Sequence, residues 1–185
     1  MATRRAAIIA GVRTPFARAG TVFKDTTAVA MARYAARELI YRSGVDGAHV
    51  DEVIFGQVVP SVLAPNVARE VSLLPQLPRT VPAYSLNRAC SSSAQAIVNG
   101  SDQIALGRAD VVLAGGVESL SDIPILHSRR MSQLLVAASK ARSLGQRLGT
   151  FAKIRPRDLI PVSPAIAEPS TGETMGQSAE KMAKE

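Results

Sequence analysis

The chain has 185 residues, 46% of them hydrophobic, a mean hydropathy of +0.11 and one cysteine, which suffices for one buried core, or a domain plus an excursion, without a disulfide framework. Its net charge of +7 is local: residues 127–157 carry eight basic side chains and no acidic one, whereas the remainder holds 14 basic and 15 acidic residues. With three Tyr, four Phe and no Trp, the stacking surface of a single-strand binder is poorly supplied, so a nucleic-acid partner is set aside.

In chain order, Ala6–Val12 is a continuous apolar run ending before Thr14-Pro15 and reads as a buried strand. Thr26 or Thr27 caps a helix with Val29, Ala32, Ala36, Leu39 and Ile40 on one face, stopped at Ser43-Gly44. Val53–Val59 is a second strand, Asn66–Leu74 a short helix, and Ala83–Asn87 a third strand. From Ser91 to Leu106 the residues Ala94, Ile97, Val98 and Ile104 keep helical spacing, with Gly107 as terminator. Val111–Gly116 is a fourth strand, apolar on both faces, which implies helices on both sides of a largely parallel sheet.

After Glu118 the character changes. The basic segment holds an amphipathic helix with Met131, Leu134, Leu135 and Ala138 together, and a proline-rich stretch follows from Pro156 to Pro169. Thr174–Glu185 begins a new helix that aligns Met175, Ala179, Met182 and Ala183 and ends without Gly, Asn or Pro, an expectation of truncation. The division expected is 1–120 for the core and 121–185 for a second module. The single thiol, and an amino-terminal apolar stretch too short for a signal peptide, point to the cytoplasm, with the mitochondrial matrix as alternative. No window approaches the roughly 18 uninterrupted apolar residues of a membrane span.

The chemistry converges on Cys90. AYSLNRACSSSAQAI places a strand, a tight connection and a helix whose first turn begins at or beside that residue. Unpaired N–H groups at a helix start favour thiolate over thiol and can receive the oxyanion of a tetrahedral intermediate, so one turn can supply a nucleophile and part of an oxyanion hole. The competing reading is a small cysteine closing a strand–helix corner.

The neighbours of Cys90 decide between these. NRACSSSAQA resembles the nucleophile motif of thiolases, and AGVRTPFARAG at Ala10–Gly20 resembles their amino-terminal signature. AGGVES at Ala114–Ser119 and TMGQSAEKMA at Thr174–Ala183 are similar to two more, in the same order. The stretch from Asp122 to Gly176 resembles the long-chain 3-ketoacyl-CoA thiolases, the thiolase subunits of fatty-acid oxidation complexes. ACSSS also occurs in ketoacyl synthases, which share the fold, but TPFARAG, GGVES and MGQSAE favour thiolase.

The resemblance implies an α/β fold of thiolase-like αβαβα layers, a mixed, mostly parallel sheet showing four of five strands of the amino-terminal half, and an inserted loop domain. It implies thiolytic cleavage of 3-ketoacyl-CoA by CoA in fatty-acid β-oxidation, releasing acetyl-CoA and leaving the shortened acyl group on Cys90. No metal or redox cofactor is implied, CoA being a substrate. A homo-oligomer, or a hetero-oligomer with a hydratase/dehydrogenase subunit, is the expected assembly. Three further thiolase motifs, NEAF, GHP and a glycine-rich CxG loop, do not occur in these residues. His49 and His127 sit in polar, unmatched contexts, so the chain alone is expected to be inactive in full turnover.

Met175 matches a methionine that lines the family's substrate pocket, with core packing as the alternative. Arg142 and Arg147 lie in the part resembling the family's loop domain, where clustered cations suit CoA phosphates. For segment 127–157 three readings stay open: CoA contact, membrane or partner docking, and plain solvation. Gly115 and Gly116 are expected to let backbone approach closely beneath the site.

Overall fold

The computed structural model describes residues 4–162 and 167–185. The chain divides into two compact units, Met1–Pro124 and Ile125–Glu185.

In the first unit, helix α1 (Ala28–Ser43) starts where the Thr27 side chain accepts from the Ala30 N–H and ends at Gly44, whose φ of 67° is the left-handed cap that glycine adopts without penalty. Its Ala32 and Ala36 enter the core, with Val29, Leu39 and Ile40 packed against it, as the periodicity predicts. A 3-10 turn, Gly47–His49, precedes strand β1 (Glu52–Gly56). Helix α2 (Val67–Ser72) is capped by Asn66, whose side chain accepts from the Arg69 N–H. The same Asn66 donates to the Ala83 carbonyl (3.2 Å) and accepts from the Ser85 hydroxyl (3.0 Å), tying α2 to strand β2 (Ala83–Leu86). Helix α3 (Ser92–Ala105) and strand β3 (Val112–Gly116) complete the unit.

The sheet is parallel, in the order β2-β1-β3. Its register aligns Gly56 with Leu86 on one side and with Gly116 on the other, so the three strands end level. At the opposite end the Asp51 carboxylate accepts from the Asp110 N–H (2.6 Å) and the Val111 N–H (3.0 Å). Those bonds, Val111 first, hold its carboxyl below the ordinary carboxylate range. The core joins Val53, Phe55 and Leu113 to Val67, Val71, Leu74, Leu77 and Val81. Central β1 is buried over Val53–Gly56, while β2 is only half-buried.

Two expectations are corrected. Ala6–Val12 forms no strand: Ile8 and Ile9 are 83% and 70% exposed, and three strands form the sheet among the described residues. Bonds to residues flanking β3 are made before the run, by Arg4 to Asp110, and eight residues after it, by the Gly20 N–H to the Ser121 hydroxyl at 2.9 Å. It makes no ladder bonds, and an apolar run whose backbone finds no sheet edge to pair with does not become a strand. In α3 the buried side is Ser92, Ala96 and Gly100, whereas Ala94, Ile97 and Val98 are exposed. Contact selects small residues here, because a Cβ on Gly100 would already lie 3.0 Å from Val112.

The second unit contains helix α4 (Arg129–Lys140), helix α5 (Leu144–Phe151), a 3-10 turn (Pro156–Leu159) and helix α6 (Met175–Met182). Ser128, Ser143 and Thr174 cap the three helices through their hydroxyls. The α4 face is built from Met131 and Ala138, both buried, while Leu135 is 38% exposed. Helix α5 is not distinguished from the basic segment by sequence pattern. Residues 163–166 of the proline-rich stretch lie outside the described residues. No helix among the described residues is long and apolar enough to cross a membrane.

Candidate active site at the Cys90 turn

Cys90 lies between β2 and α3, at the carboxyl ends of the parallel strands, and is exposed. Such strand ends are where ligands bind in open α/β sheets, because the connecting turns and helix starts gather there. The turn is closed from inside by Ser92. Its hydroxyl accepts from the Arg88 N–H at 2.8 Å and donates to the Ala89 carbonyl at 2.6 Å, while the Ser91 and Ser92 N–H groups bond back to Arg88 and Ala89. Helix α3 begins with no side-chain cap at Ser91, so its first-turn N–H groups are not covered by that side chain.

Ala89 has φ 46°, the one non-glycine residue with positive φ among the described residues. A side chain disfavours that conformation, and such outliers persist where surrounding contacts impose them. The Asn87 carboxamide accepts from the Ala89 N–H at 2.9 Å and donates to the Val58 carbonyl at 3.0 Å. On the next strand end, the Glu118 carboxylate accepts from the N–H groups of Val58 (2.8 Å) and Val59 (3.2 Å). Along α3, Arg88 bonds to Gln95, Gln95 to Asn99 at 2.7 Å, and Asn99 to the Tyr84 hydroxyl at 3.1 Å.

The glycines beneath the turn permit this assembly. A Cβ at Gly56 would meet the Ser92 carbonyl carbon at 2.3 Å, and one at Gly116 would meet the Ser93 Cβ at 2.5 Å. Gly115 faces the Phe55 ring, 3.3 Å from where its Cβ would be. The expected close approach at Gly116 is present, and Gly56 is an equal contributor that the sequence reading did not single out.

The other predicted site residues are in the second unit. Met175 is the first residue of α6 and is 77% exposed, and α6 has no buried residue. Arg142 and Arg147 are exposed and unpaired among the described residues. Arg130, from the same basic run, is engaged: it pairs with Asp158, which is 4% exposed, and donates to the Lys153 carbonyl at 2.8 Å. The Arg155 N–H, first, and the Arg130 guanidinium hold the Asp158 carboxyl below the ordinary range. Both histidines are exposed. His49 ends the 3-10 turn at the amino ends of the strands, the edge opposite Cys90.

Asn87, Ala89, Ser92 and Glu118 are the site-building residues that sequence reasoning missed. Only Asn87 left a signal, since Asn two residues before a tight turn's central position can bond its own backbone.

A parallel sheet with level strand ends, a cysteine on a strained turn and an uncapped helix start define an α/β protein built to present a thiol at its sheet edge. The profile of the family described as thiolase, N-terminal domain, matches residues 6–185, so the chain belongs to that family. It is 47% identical over 180 residues to proteins named 3-ketoacyl-CoA thiolase from Pseudoalteromonas translucida and Colwellia psychrerythraea, covering 97% of this chain and 41% of each relative. The fold is similar to the crystal structure of Bacillus anthracis acetyl-CoA acetyltransferase, with TM-score 0.75 and 29% identity over 99% of this chain and 42% of that one. It is also similar to a thiolase from Ascaris suum in complex with coenzyme A, with TM-score 0.74 and 26% identity over 94% of this chain and 41% of that one. The chain therefore spans less than half the length of the curated relatives it matches.

Proposed function

We propose that this chain is the nucleophile-bearing part of an acyltransferase that cleaves 3-ketoacyl-CoA with CoA in fatty-acid oxidation. The carrying observation is the position of Cys90, exposed at an uncapped helix start on the sheet's carboxyl edge, in a chain 47% identical to 3-ketoacyl-CoA thiolases.

In this reading the Cys90 Sγ attacks the 3-keto carbon as the thiolate, and N–H groups of the first turn of α3 that make no backbone bond receive the oxyanion. The C2–C3 bond breaks, its electron pair leaves as the acetyl-CoA enolate, and an acid protonates that enolate. The CoA sulfur then attacks the acyl-cysteine, releasing shortened acyl-CoA and free Cys90, with the CoA thiol proton passing to a base. The chain holds no second cysteine, and His49 is on the wrong sheet edge. Alone it accepts an acyl group without completing turnover. Arg142 and Arg147 serve the CoA phosphates and Met175 the acyl chain, which suits two exposed guanidinium groups and an exposed thioether.

Incubating the chain with acetyl-CoA or a 3-ketoacyl-CoA, followed by intact-mass and peptide mass spectrometry, tests this. One acyl group on Cys90, lost in Cys90→Ala, is expected. No adduct, or one that survives Cys90→Ala, would remove the reading.

A further inference from the structure

We infer that Asn87 is the positioning residue for Cys90, acting by locking the left-handed turn at Ala89 onto the loop that follows β1. The inference rests on the acyl-transfer reading only for the purpose the positioning serves. Its structural basis is one continuous chain of bonds. Cys90 follows Ala89, whose φ of 46° is a conformation a Cβ-bearing residue leaves when nothing holds it. Asn87 Oδ1 accepts from the Ala89 N–H at 2.9 Å, and Asn87 Nδ2 donates to the Val58 carbonyl at 3.0 Å. Val58 is itself fixed, because its N–H and that of Val59 donate to Glu118. The carboxamide therefore joins the nucleophile's turn to the loop after β1, which is braced by Glu118 from the segment after β3.

The internal bonds of Ser92 close the turn but do not attach it to the sheet. Among the side-chain bonds of this turn, Asn87 makes the one that reaches the loop after β1, and it does so with the same group that holds Ala89. Neither an alanine nor an aspartate reproduces both bonds: alanine has neither partner, and aspartate has no donor for the Val58 carbonyl. Without the lock, Ala89 relaxes toward negative φ and carries the Cys90 sulfur away from the start of α3. A glycine at position 89 removes the steric reason to relax, since positive φ carries no penalty for it. Asn87 thus acts through Ala89, and Ala89→Gly should compensate for its loss.

Because Cys90 is the only thiol, alkylation by iodoacetamide measured by intact mass reads this one residue without background. The rate is to be followed across pH for the 185-residue chain, Asn87→Ala, and Asn87→Ala with Ala89→Gly, with circular dichroism on each. Asn87→Ala should slow alkylation about tenfold with the helical signal retained, and the added Ala89→Gly should return the rate to within about threefold of the original. If Asn87→Ala unfolds the unit, Asn87→Leu, which fills the same space and makes neither bond, replaces it in the same comparison. An unchanged rate in the folded single variant, or a double variant as slow as the single one, overturns the inference. Acylation of the unsubstituted chain by acetyl-CoA is the separate arm. If Cys90 alkylates normally but takes no acyl group, the functional reading fails, and the order of alkylation rates still decides the role of Asn87.

Discussion

Gly56 and Ser92 touch through bare backbone: a Cβ on the glycine would lie 2.3 Å from the serine carbonyl carbon and 2.5 Å from the next amide nitrogen. Helix α3 therefore rests directly on the end of the central strand, and Gly116 repeats the arrangement on the neighbouring strand against Ser93. A side chain at either place pushes the helix start, and Cys90 with it, off the sheet. Gly56→Ala should destabilise the first unit by roughly 3 kcal/mol, the upper end of ordinary overpacking. Urea unfolding followed by circular dichroism checks it, and a loss under about 1 kcal/mol would mean that the helix lifts freely. Gly149, inside α5 with nothing within 4 Å of its added Cβ, is the contrast. Gly149→Ala should stabilise α5 by about 0.5–1 kcal/mol through helix propensity alone.

Glu118 braces the loop after β1 by accepting two N–H groups with one oxygen. Glu118→Gln keeps an acceptor of the same shape but removes the charge that makes such bonds strong, whereas Glu118→Ala leaves both donors to solvent. Amide hydrogen exchange at Val58 and Val59 should quicken severalfold in Glu118→Gln and about tenfold or more in Glu118→Ala. Equal exchange in both variants and the original would show that the carboxylate does not hold the loop.

Asp51 and Asp158 have carboxyls held below their ordinary range by backbone N–H groups, Val111 first for Asp51 and Arg155 first for Asp158. A depressed folded-state pKa contributes stability that is present above the unfolded value of about 3.9 and lost as pH falls through the lower folded value. Glu52, pushed up by burial, works in the opposite sense, so each aspartate is read by subtraction. Asp51→Asn should weaken the first unit at pH 7, with the difference from the original shrinking below about pH 4. Asp158→Asn should do the same for amide protection in α4 and the Pro156–Leu159 turn. Differences that persist unchanged to pH 2 would assign the effect to shape rather than charge.

Arg142 and Arg147 stand exposed without acidic partners among the described residues, while Arg130 is occupied by Asp158. If the free pair serves CoA phosphates, reversing both to Glu should weaken CoA binding about five- to tenfold at low salt, in keeping with exposed charge pairs. Isothermal titration of the chain at two ionic strengths reads this, with the gap between variants narrowing as salt rises. A CoA affinity unmoved at low salt would assign these arginines to solvation or to another surface.

Much of the architecture is legible in local chemistry. Thr27, Asn66 and Thr174 announce helix starts because a short side-chain oxygen satisfies an orphan N–H within three residues, and Gly44 announces a stop because its left-handed backbone is cheap. The three strands that formed are runs whose neighbours pair with them, and the strand-to-helix turn expected at Cys90 is present between β2 and α3. Ala6–Val12 reads the same way locally but has no paired edge, which no property of its own composition reveals.

By itself, then, the sequence determined the family, the starts of α1 and α6, the three strands and two helices around Cys90 and the identity of the thiol, all set within a few residues or by recognisable motifs. Tertiary structure alone decided which face of α3 is buried. Apolar periodicity favours Ala94, Ile97 and Val98, yet Ser92, Ala96 and Gly100 meet the sheet, because glycine backbone at Gly56 and Gly116 brings the helix too near for larger side chains. It also decided the bonds of Asn87 and Glu118, since partners 29 and 60 residues away come within reach only once three strands end level.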